Sequence, residues 1–228
     1  MTAVHTSVMD RVEVSDPCTA RAVRNHEVSM WSDDGRRLPL EPRRWHGEPS
    51  PLEQRLVAGL AGPVLDVGCG PGRILAALDR LGVAALGVDS APGAVGLARR
   101  RGSRVLQRSV FDPLPGQGGW RSVLLLDGNV GIGGDPVRLL RRCRELAGRE
   151  GTTIAEVEAP GRRTQRCRAR LVPGPGQNAW FNWAVVGADA IAPLAVDAGL
   201  RVARISHDAG EQRWFAHLTV LETDDGGT

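Results

Sequence analysis

The sequence contains no lysine and no tyrosine, and all 29 of its basic residues are arginine. With 26 acidic residues the net charge is only +3, which does not by itself indicate a nucleic-acid-binding protein. Coding bias in a GC-rich genome is the simplest explanation for basic residues that are all arginine. The charge balance therefore points to no particular class of partner.

Cysteine is also scarce, with four residues at positions 18, 69, 143 and 167 and no CxxC pair. This spacing predicts neither a zinc site nor a disulfide framework, so we expect no metal and a reducing compartment. No apolar run approaches the ~18 residues that cross a membrane, and the N-terminus lacks the pattern of a secretory signal. We expect a cytoplasmic monomer or homodimer without a membrane partner.

The chain has 228 residues, which favours one domain with an appended segment. We expect a loosely ordered tail at 1–30, an N-terminal cap segment and helix at 31–62, the main domain at 63–222 and a tail at 223–228. Prolines and tryptophans make residues 31–51 irregular in this prediction. Ser50-Pro51-Leu52-Glu53 predicts the start of a helix with a capping box, and Gly62 is expected to end that helix.

From residue 63 onward, short apolar runs alternate with amphipathic segments. This alternation predicts an α/β fold with a doubly wound parallel sheet. Near the C-terminus, two consecutive strands at 200–206 and 213–221 predict an antiparallel hairpin at the sheet edge. The earlier strands are expected at 63–67, 84–88, 105–107, 123–126 and 152–157, and the helices at 72–81, 92–101, 136–147 and 188–198.

The sharpest motif is Leu65-Asp66-Val67-Gly68-Cys69-Gly70-Pro71-Gly72-Arg73, an apolar strand that enters a glycine turn before a helix. Glycines let the backbone approach a ligand closely, and a helix start favours negative charge. The dinucleotide fingerprint GxGxxG would need a glycine where Arg73 stands. We therefore disfavour a nicotinamide oxidoreductase.

Two acids near this turn suggest the ligand. Asp66 precedes the glycines, where it would repel a pyrophosphate but attract a cationic amino group. Asp89 ends the second strand, where an acid accepts hydrogen bonds from ribose hydroxyls in doubly wound folds. A nucleoside joined to an amino acid without a pyrophosphate describes S-adenosylmethionine.

With these residues the sequence resembles the class I S-adenosylmethionine-dependent methyltransferases, over roughly residues 50 to 222. The family's glycine motif matches LDVGCGPG at 65–72, and its ribose acid matches Asp89. The resemblance implies a Rossmann-like three-layer sandwich with a seven-stranded, mostly parallel sheet whose last strand is antiparallel. Ser109 stands where the family has an acid near the adenine, so that contact departs from the family pattern. The cofactor-binding residues expected are Asp66, Gly68, Cys69, Gly70, Gly72, Arg73, Asp89, Ser90, Ser109, Val110, Phe111 and Asp127.

The chain also looks like a bacterial subgroup of small methyltransferases that carry SVFDPLPG, LLxDGNxGIGGDP and a Trp/Phe-rich segment before VGADA. Within the second motif, Asp127 and Asn129 are the first candidates for orienting the methyl acceptor, with Asp127 as a possible base. The alternative is that Asp127 only satisfies loop amides. Asp135 is expected to cap the next helix. His46 is a further candidate base, although a lone loop histidine is more often a surface residue.

Five arginines between 161 and 170 form a predicted loop near the acceptor mouth. They could bind an anionic acceptor or an RNA backbone, but a solvated loop is the commoner outcome.

We expect transfer of a methyl group to a small molecule, with a role in secondary metabolism as a finer expectation. Nucleic acid is disfavoured as a partner, because no RNA-binding module is visible. The alternatives are a nucleic-acid methyltransferase and a cofactor-binding protein without catalysis.

Overall fold

The computed structural model describes residues 28–173 and 180–221. The predicted tail at 1–27, Cys18 and the predicted C-terminal tail lie outside these residues. In chain order the elements are β1 (Val28–Ser32), β2 (Arg37–Leu38), α1 (Pro42–His46), α2 (Pro51–Ala58), β3 (Val64–Val67), α3 (Arg73–Arg80), β4 (Ala85–Asp89), α4 (Pro92–Arg100), β5 (Val105–Gln107), β6 (Ser122–Leu125), α5 (Pro136–Ala147), β7 (Thr152–Val157), β8 (Gln165–Pro173), β9 (Phe181–Val185), α6 (Ile191–Asp197), β10 (Leu200–Asp208) and β11 (Arg213–Val220). Two short 3₁₀ turns lie within Asn129–Gly134.

The main sheet has seven strands in the order β10-β11-β7-β6-β3-β4-β5. The strands from β7 to β5 are parallel, whereas β11 is antiparallel to both of its neighbours. The predicted fold class, including the antiparallel last strand and the edge hairpin, is confirmed. The carboxyl ends of the parallel strands meet at one edge, where doubly wound folds bind ligands.

The apolar residues of the parallel strands face alternately to the two sides of the sheet. Leu65 and Val67 join a core with α5 and α6, while Val64 and Leu124 pack with α2 and α3. Both faces are therefore covered by helices, as a continuous apolar strand pattern requires. This packing gives the predicted three layers.

A second sheet, with the order β2-β1-β8-β9, corrects three expectations. All of its strand pairs are antiparallel. Residues 28–30 were predicted to be part of a loose tail, but they lie in β1. Residues 31–51 were predicted to be irregular, but they contain β2 and α1 as well as the end of β1. Strand β9 was missed.

The arginine-rich loop predicted at 161–170 is wrong for its second half, because Gln165–Pro173 forms strand β8. Ala169 and Leu171 are fully buried, whereas Arg166 and Arg168 are exposed. Exposed arginines alternate here with small or apolar residues, which is the period of a half-buried strand. The density of arginine concealed that period.

Helix α2 begins as predicted. The Ser50 hydroxyl accepts a hydrogen bond from the Glu53 amide, and the Glu53 carboxylate accepts one from the Ser50 amide. Its end was misplaced, because Gly59 rather than Gly62 follows the last turn. Asp135 caps α5 as predicted, since its carboxylate accepts a hydrogen bond of 3.2 Å from the Arg138 amide.

Candidate functional site

The glycine turn after β3 requires glycine for two physical reasons. Gly68, Gly70 and Gly72 have φ values of +68°, +55° and +82°, which side chains disfavour. A Cβ on Gly68 would also lie 2.5 Å from Nδ2 of Asn129. Asn129 therefore packs tightly against the turn at Gly68. The space beside Gly70 is open, since a Cβ there would meet nothing within 4 Å.

Asp89, at the end of β4, stabilises the same turn through hydrogen bonds. Its Oδ2 accepts a 2.9 Å hydrogen bond from the Gly70 amide, and its Oδ1 accepts one of 2.9 Å from the Ala91 amide. The side chain is buried. The predicted ribose acid thus also orders the glycine turn.

Asn129 holds the turn from the opposite side. Its Nδ2 donates 3.0 Å hydrogen bonds to the carbonyl oxygens of Val67 and Gly68. An amide used in this way positions backbone, so its predicted role toward an acceptor stays a prediction. Asp127, two residues earlier, has a φ of +54°.

A buried network of charges lies beneath the turn. Arg73 binds both oxygens of Asp127 at 2.7 and 3.0 Å and also pairs with Glu53 at 2.5 Å. Arg213 binds both oxygens of Glu156 at 2.7 Å and Glu53 at 2.7 Å. The Asp127 amide donates to Glu156 at 2.7 Å. Asp127 is thereby bound through both its side chain and its backbone, and Arg73, where the dinucleotide fingerprint would have a glycine, supplies the side-chain partner.

These pairings keep the network charged. The arginines hold the pKa of Glu53 at about 2 although burial opposes this, and the carboxylates raise the pKa values of Arg73 and Arg213 against the effect of burial. Sequence reasoning placed Glu53 only in a capping box and did not consider Arg213 or Glu156. An arginine at the start of the largely apolar strand β11 was the available signal.

Asp66 lies under the turn with 3% of its surface exposed. Its Oδ2 accepts no hydrogen bond from the described residues. Burial, reinforced by Asp127, Asp89 and Glu53, raises the pKa of Asp66 to about 7, with Arg73 opposing the rise. A buried carboxyl without a full set of partners fits a nearby cationic ligand group.

The loop after β5 carries the residues predicted to flank the adenine. Ser109 Oγ accepts a 3.2 Å hydrogen bond from the Phe111 amide. Arg142 of α5 donates to the carbonyl oxygens of Val110 at 3.0 Å and Asp112 at 2.9 Å. Arg142 therefore anchors this loop, a role that sequence reasoning did not identify.

Two cavities that share Gly68 and Asp89 run along the carboxyl edge of the sheet. The first is also lined by Cys69, Arg73, Asp127 and Asn129, with Leu40 and Trp45 as its apolar side. The second is also lined by Ser90, Ser109 and Val110. Asp66, Gly72, Phe111 and His46 line neither cavity.

Neither of these two cavities is lined by His46, Phe111 or the arginines of segment 161–170. His46 ends α1, and Phe111 lies 4.4 Å beneath the Arg138 guanidinium. Arg168 and Arg170 lie 5.9 and 5.0 Å from the Trp180 ring.

Within residues 28–173 and 180–221, no group of three His, Cys, Asp or Glu side chains could hold a metal ion. In the same ranges no helix is long and apolar enough to cross a bilayer.

Comparisons with known proteins agree with this geometry. Residues 64–151, less than half of the chain, match the family model described as a methyltransferase domain. No curated protein matches the sequence.

Among solved structures, a SAM-dependent methyltransferase from Bacteroides fragilis in complex with S-adenosyl-L-homocysteine has a TM-score of 0.73 and 20% identity, over 97% of this chain and 99% of that chain. The 1,6-didemethyltoxoflavin-N1-methyltransferase of Burkholderia thailandensis has a TM-score of 0.54 and 18% identity, over 75% of this chain and 78% of that chain. NcsB1, an O-methyltransferase from neocarzinostatin biosynthesis, has a TM-score of 0.51 and 26% identity, over 69% of this chain but 48% of that chain.

The seven-stranded sheet and its glycine turn have the Rossmann-like fold of these structures. Residues 64–151 form a methyltransferase domain of the class I, S-adenosylmethionine-dependent type. The family, the enzyme class and the cofactor predicted from the sequence are thereby confirmed.

Proposed function

We propose that this methyltransferase acts on a small-molecule acceptor, in secondary metabolism. The observation that carries the proposal is a third cavity between the carboxyl edge of the main sheet and strand β9, which is lined mainly by apolar residues such as Val130, Val157 and Trp183. A mostly apolar lining with a few polar groups is typical of small-molecule sites. In support, NcsB1 is an O-methyltransferase of neocarzinostatin biosynthesis, and the Burkholderia enzyme was crystallised with 1,6-didemethyltoxoflavin.

In this proposal the glycine turn receives the amino-acid end of the cofactor. Backbone at Gly68 and Gly70 would approach the carboxylate, and Asp66 would face the cationic amino group. The residues fit this group, because the turn leaves open space above Gly70 and Asp66 keeps an oxygen without a hydrogen-bond donor among the described residues. Asp89 would accept hydrogen bonds from the ribose.

Ser109 and Val110 would flank the adenine, because both line the second cavity beside Asp89. When bound, the cofactor supplies a methyl group activated by a sulfonium. The protein then mainly has to align the acceptor and exclude water. Asp127 and Asn129 would do this indirectly, by holding the loop between the cofactor cavities and the third cavity.

The test uses the full chain. We expect calorimetry to show binding of S-adenosylhomocysteine and no binding of NAD. With methyl-labelled S-adenosylmethionine, we expect label in a panel of small phenols, amines and heteroaromatic compounds. Label transferred to RNA, with retention on RNA that weakens as salt is raised, would instead support the nucleic-acid alternative. Cofactor binding without transfer to any compound would support a non-catalytic protein.

A further inference from the structure

A surface cleft that shares no residue with the three cavities lies between helix α5 and the segment that follows β5. Its volume is about 380 Å³, which lies within the range of small-molecule sites. This cleft, here termed the arginine cleft, contains more positive than negative side chains. Its lining has an excess of two positive charges, from three arginines and one carboxylate. The lining residues are Arg138, Arg141, Arg142 and Glu145 of α5, with Phe111 and Gln117 from the segment after β5.

Arg142 is fixed in place by four hydrogen bonds. Its Nε donates to the Val110 carbonyl oxygen at 3.0 Å and its Nη2 to the Asp112 carbonyl oxygen at 2.9 Å. Its Nη1 donates to Gln117 at 3.0 Å and to Glu145 at 3.1 Å. Since a guanidinium has five N–H groups, one N–H on Nη2 is left for a further acceptor. A ligand in the cleft therefore meets a guanidinium that is already oriented.

The groups that hold Arg141 and Arg142 do not neutralise the charge of these side chains. Arg141 donates to the Asp197 carbonyl oxygen at 2.9 Å, and two of the four bonds of Arg142 also go to carbonyl oxygens. A carbonyl oxygen orients a guanidinium but carries no net charge. The carboxylate that pairs with Arg142 belongs to Glu145, whose side chain is 46% exposed. An ion pair in contact with water is weak, so the cleft keeps its attraction for an anion.

Arg138 forms a flat wall of the same cleft. Its guanidinium lies over the Phe111 ring, 4.4 Å from the ring centroid. A guanidinium that stacks on a ring still directs its N–H groups outward in its own plane, where they match the oxygens of a phosphate or carboxylate. The cleft thus combines oriented donors with excess positive charge, and this combination recognises oxyanions.

We propose that the arginine cleft binds the phosphate group of a small molecule, as a dianion, and that this binding strengthens cofactor binding through Arg142. The inference goes beyond the proposed function and does not depend on the identity of the methyl acceptor. Phosphate suits the cleft because its two negative charges match the excess of two positive charges. Guanidinium groups also bind phosphate oxygens through directed, charge-assisted hydrogen bonds. A single carboxylate would leave half of that charge uncompensated.

The coupling follows from the position of Arg142 between two sites. It holds the carbonyl oxygen of Val110, and Val110 lines the second cavity, where the adenine is expected. A phosphate that accepts a hydrogen bond from Arg142 favours the same guanidinium orientation that holds this loop. Because the cost of ordering the loop is then shared, each ligand should raise the affinity for the other by the same factor.

The binding test is calorimetry on the full chain at low ionic strength, with inorganic phosphate and phenyl phosphate as probes and sodium chloride of equal ionic strength as the reference. We expect the wild type to bind a phosphate probe and Arg141→Met to bind it about tenfold more weakly, because a hydrogen bond to a charged group is lost. Arg149→Met is the matched control. Arg149 is exposed just after α5 and does not line the cleft, so this variant should keep the wild-type affinity.

A second variant should change the affinity in the opposite direction. Glu145→Gln removes the carboxylate of the cleft, so the phosphate probe should bind about twofold to fivefold more tightly, as expected for one partly exposed charge. Glu150→Gln removes an exposed carboxylate outside the cleft and should leave the affinity unchanged. An unaltered thermal melt shows that each variant is folded.

The coupling test repeats the S-adenosylhomocysteine titration with the phosphate probe at saturation. We expect the affinity for S-adenosylhomocysteine to rise about fivefold in the wild type and in Arg149→Met, at the lower end of typical coupling between sites. Without the probe, Arg141→Met should bind S-adenosylhomocysteine as the wild type does. At the probe concentration that saturates the wild type, Arg141→Met should show a much smaller rise.

The outcomes distinguish the ligand sources and the possible failures. Tighter binding of inorganic phosphate identifies the free ion as the ligand, whereas tighter binding of phenyl phosphate identifies a phosphate ester. If neither probe binds, or if Arg141→Met and Arg149→Met weaken binding equally, the site is wrong. Binding that leaves the affinity for S-adenosylhomocysteine unchanged overturns the coupling through Arg142.

Discussion

Asp89 uses both carboxylate oxygens on backbone amides, and it lines both the first and the second cavity. Asp89→Ala should therefore weaken S-adenosylhomocysteine binding by about tenfold or more, since a hydrogen bond to a charged group contributes about 1.5–3 kcal/mol. Calorimetry on the folded variant measures this. Asp135→Ala is the control: it removes a helix cap, which costs about 1 kcal/mol of stability, but it should leave affinity unchanged. Unchanged affinity in Asp89→Ala would show that the ribose assignment is wrong.

If Asp66 contacts the cationic group of the cofactor as proposed, the cofactor affinity should depend on pH. Because burial raises its pKa to about 7, the free protein holds Asp66 protonated below that pH, and a cationic ligand must displace the proton. Affinity for S-adenosylhomocysteine should rise with pH up to about pH 7, by up to about tenfold per unit. In Asp66→Asn this dependence should be absent, while exposed Asp79→Asn should retain it. Calorimetry on the wild type and on both variants, at pH values up to about 7, measures this dependence.

The same proton also affects stability. The folded pKa of Asp66 lies above the ordinary value of 3.8, so the folded state binds the proton more tightly than the unfolded state does. This contribution is fully present below pH ~4 and is lost as the pH rises through about 7.

At the scale of elements, helix α5 orders the loop expected to contact the adenine. Arg142→Met removes the donors to the Val110 and Asp112 carbonyl oxygens. We expect S-adenosylhomocysteine affinity to fall about fivefold to tenfold, because the loop is no longer pre-ordered before binding. Calorimetry measures the change.

Arg141→Met provides the comparison on the same helix. Arg141 donates to the Asp197 carbonyl oxygen, at a distance from the adenine loop, so its variant should bind the cofactor normally. Equal losses in both variants would contradict a specific role for Arg142.

The elements of the main sheet were predictable because their signals are local. Short apolar runs bounded by glycine and proline gave β3, β4, β6 and β7, and the Ser50–Glu53 spacing gave the start of α2. The second sheet was not predictable in this way. Strand β1 pairs with β8 across more than 130 residues of sequence, and arginines on the exposed face of β8 hid its alternation.

At the scale of the whole molecule, the buried charges connect the two ends of the described chain. Arg213 of β11 pairs with Glu53 of α2, 160 residues earlier. Arg213→Met should lower the free energy of unfolding by about 3–5 kcal/mol, because removal of one partner leaves buried carboxylates uncompensated. Urea unfolding measures this.

Arg55→Met is the exposed counterpart. Its pair with Asp208 spans 2.8 Å, but the Arg55 side chain is 64% exposed, so the loss should stay below about 1 kcal/mol. Comparable losses in the two variants would contradict the stabilising role of the buried network.

Long separations along the sequence also limit how much of the site could be predicted. Gly68, Gly70 and Asp89 lie within one short region of sequence, so the sequence could predict that they come together at the glycine turn. Glu156, Glu158 and Trp183 line the third cavity together only through the packing of β7 and β9, and no local spacing links them. Their common location is therefore known only from the three-dimensional structure.

The charge network also affects how the protein could be shortened. A fragment with only residues 64–151 would keep Arg73 and Asp127 but lose Glu53, Glu156 and Arg213. It would also remove β7 and β11, which cover the open side of β6. The recognisable motif region is therefore smaller than the smallest piece that could be expressed as a stable, folded enzyme.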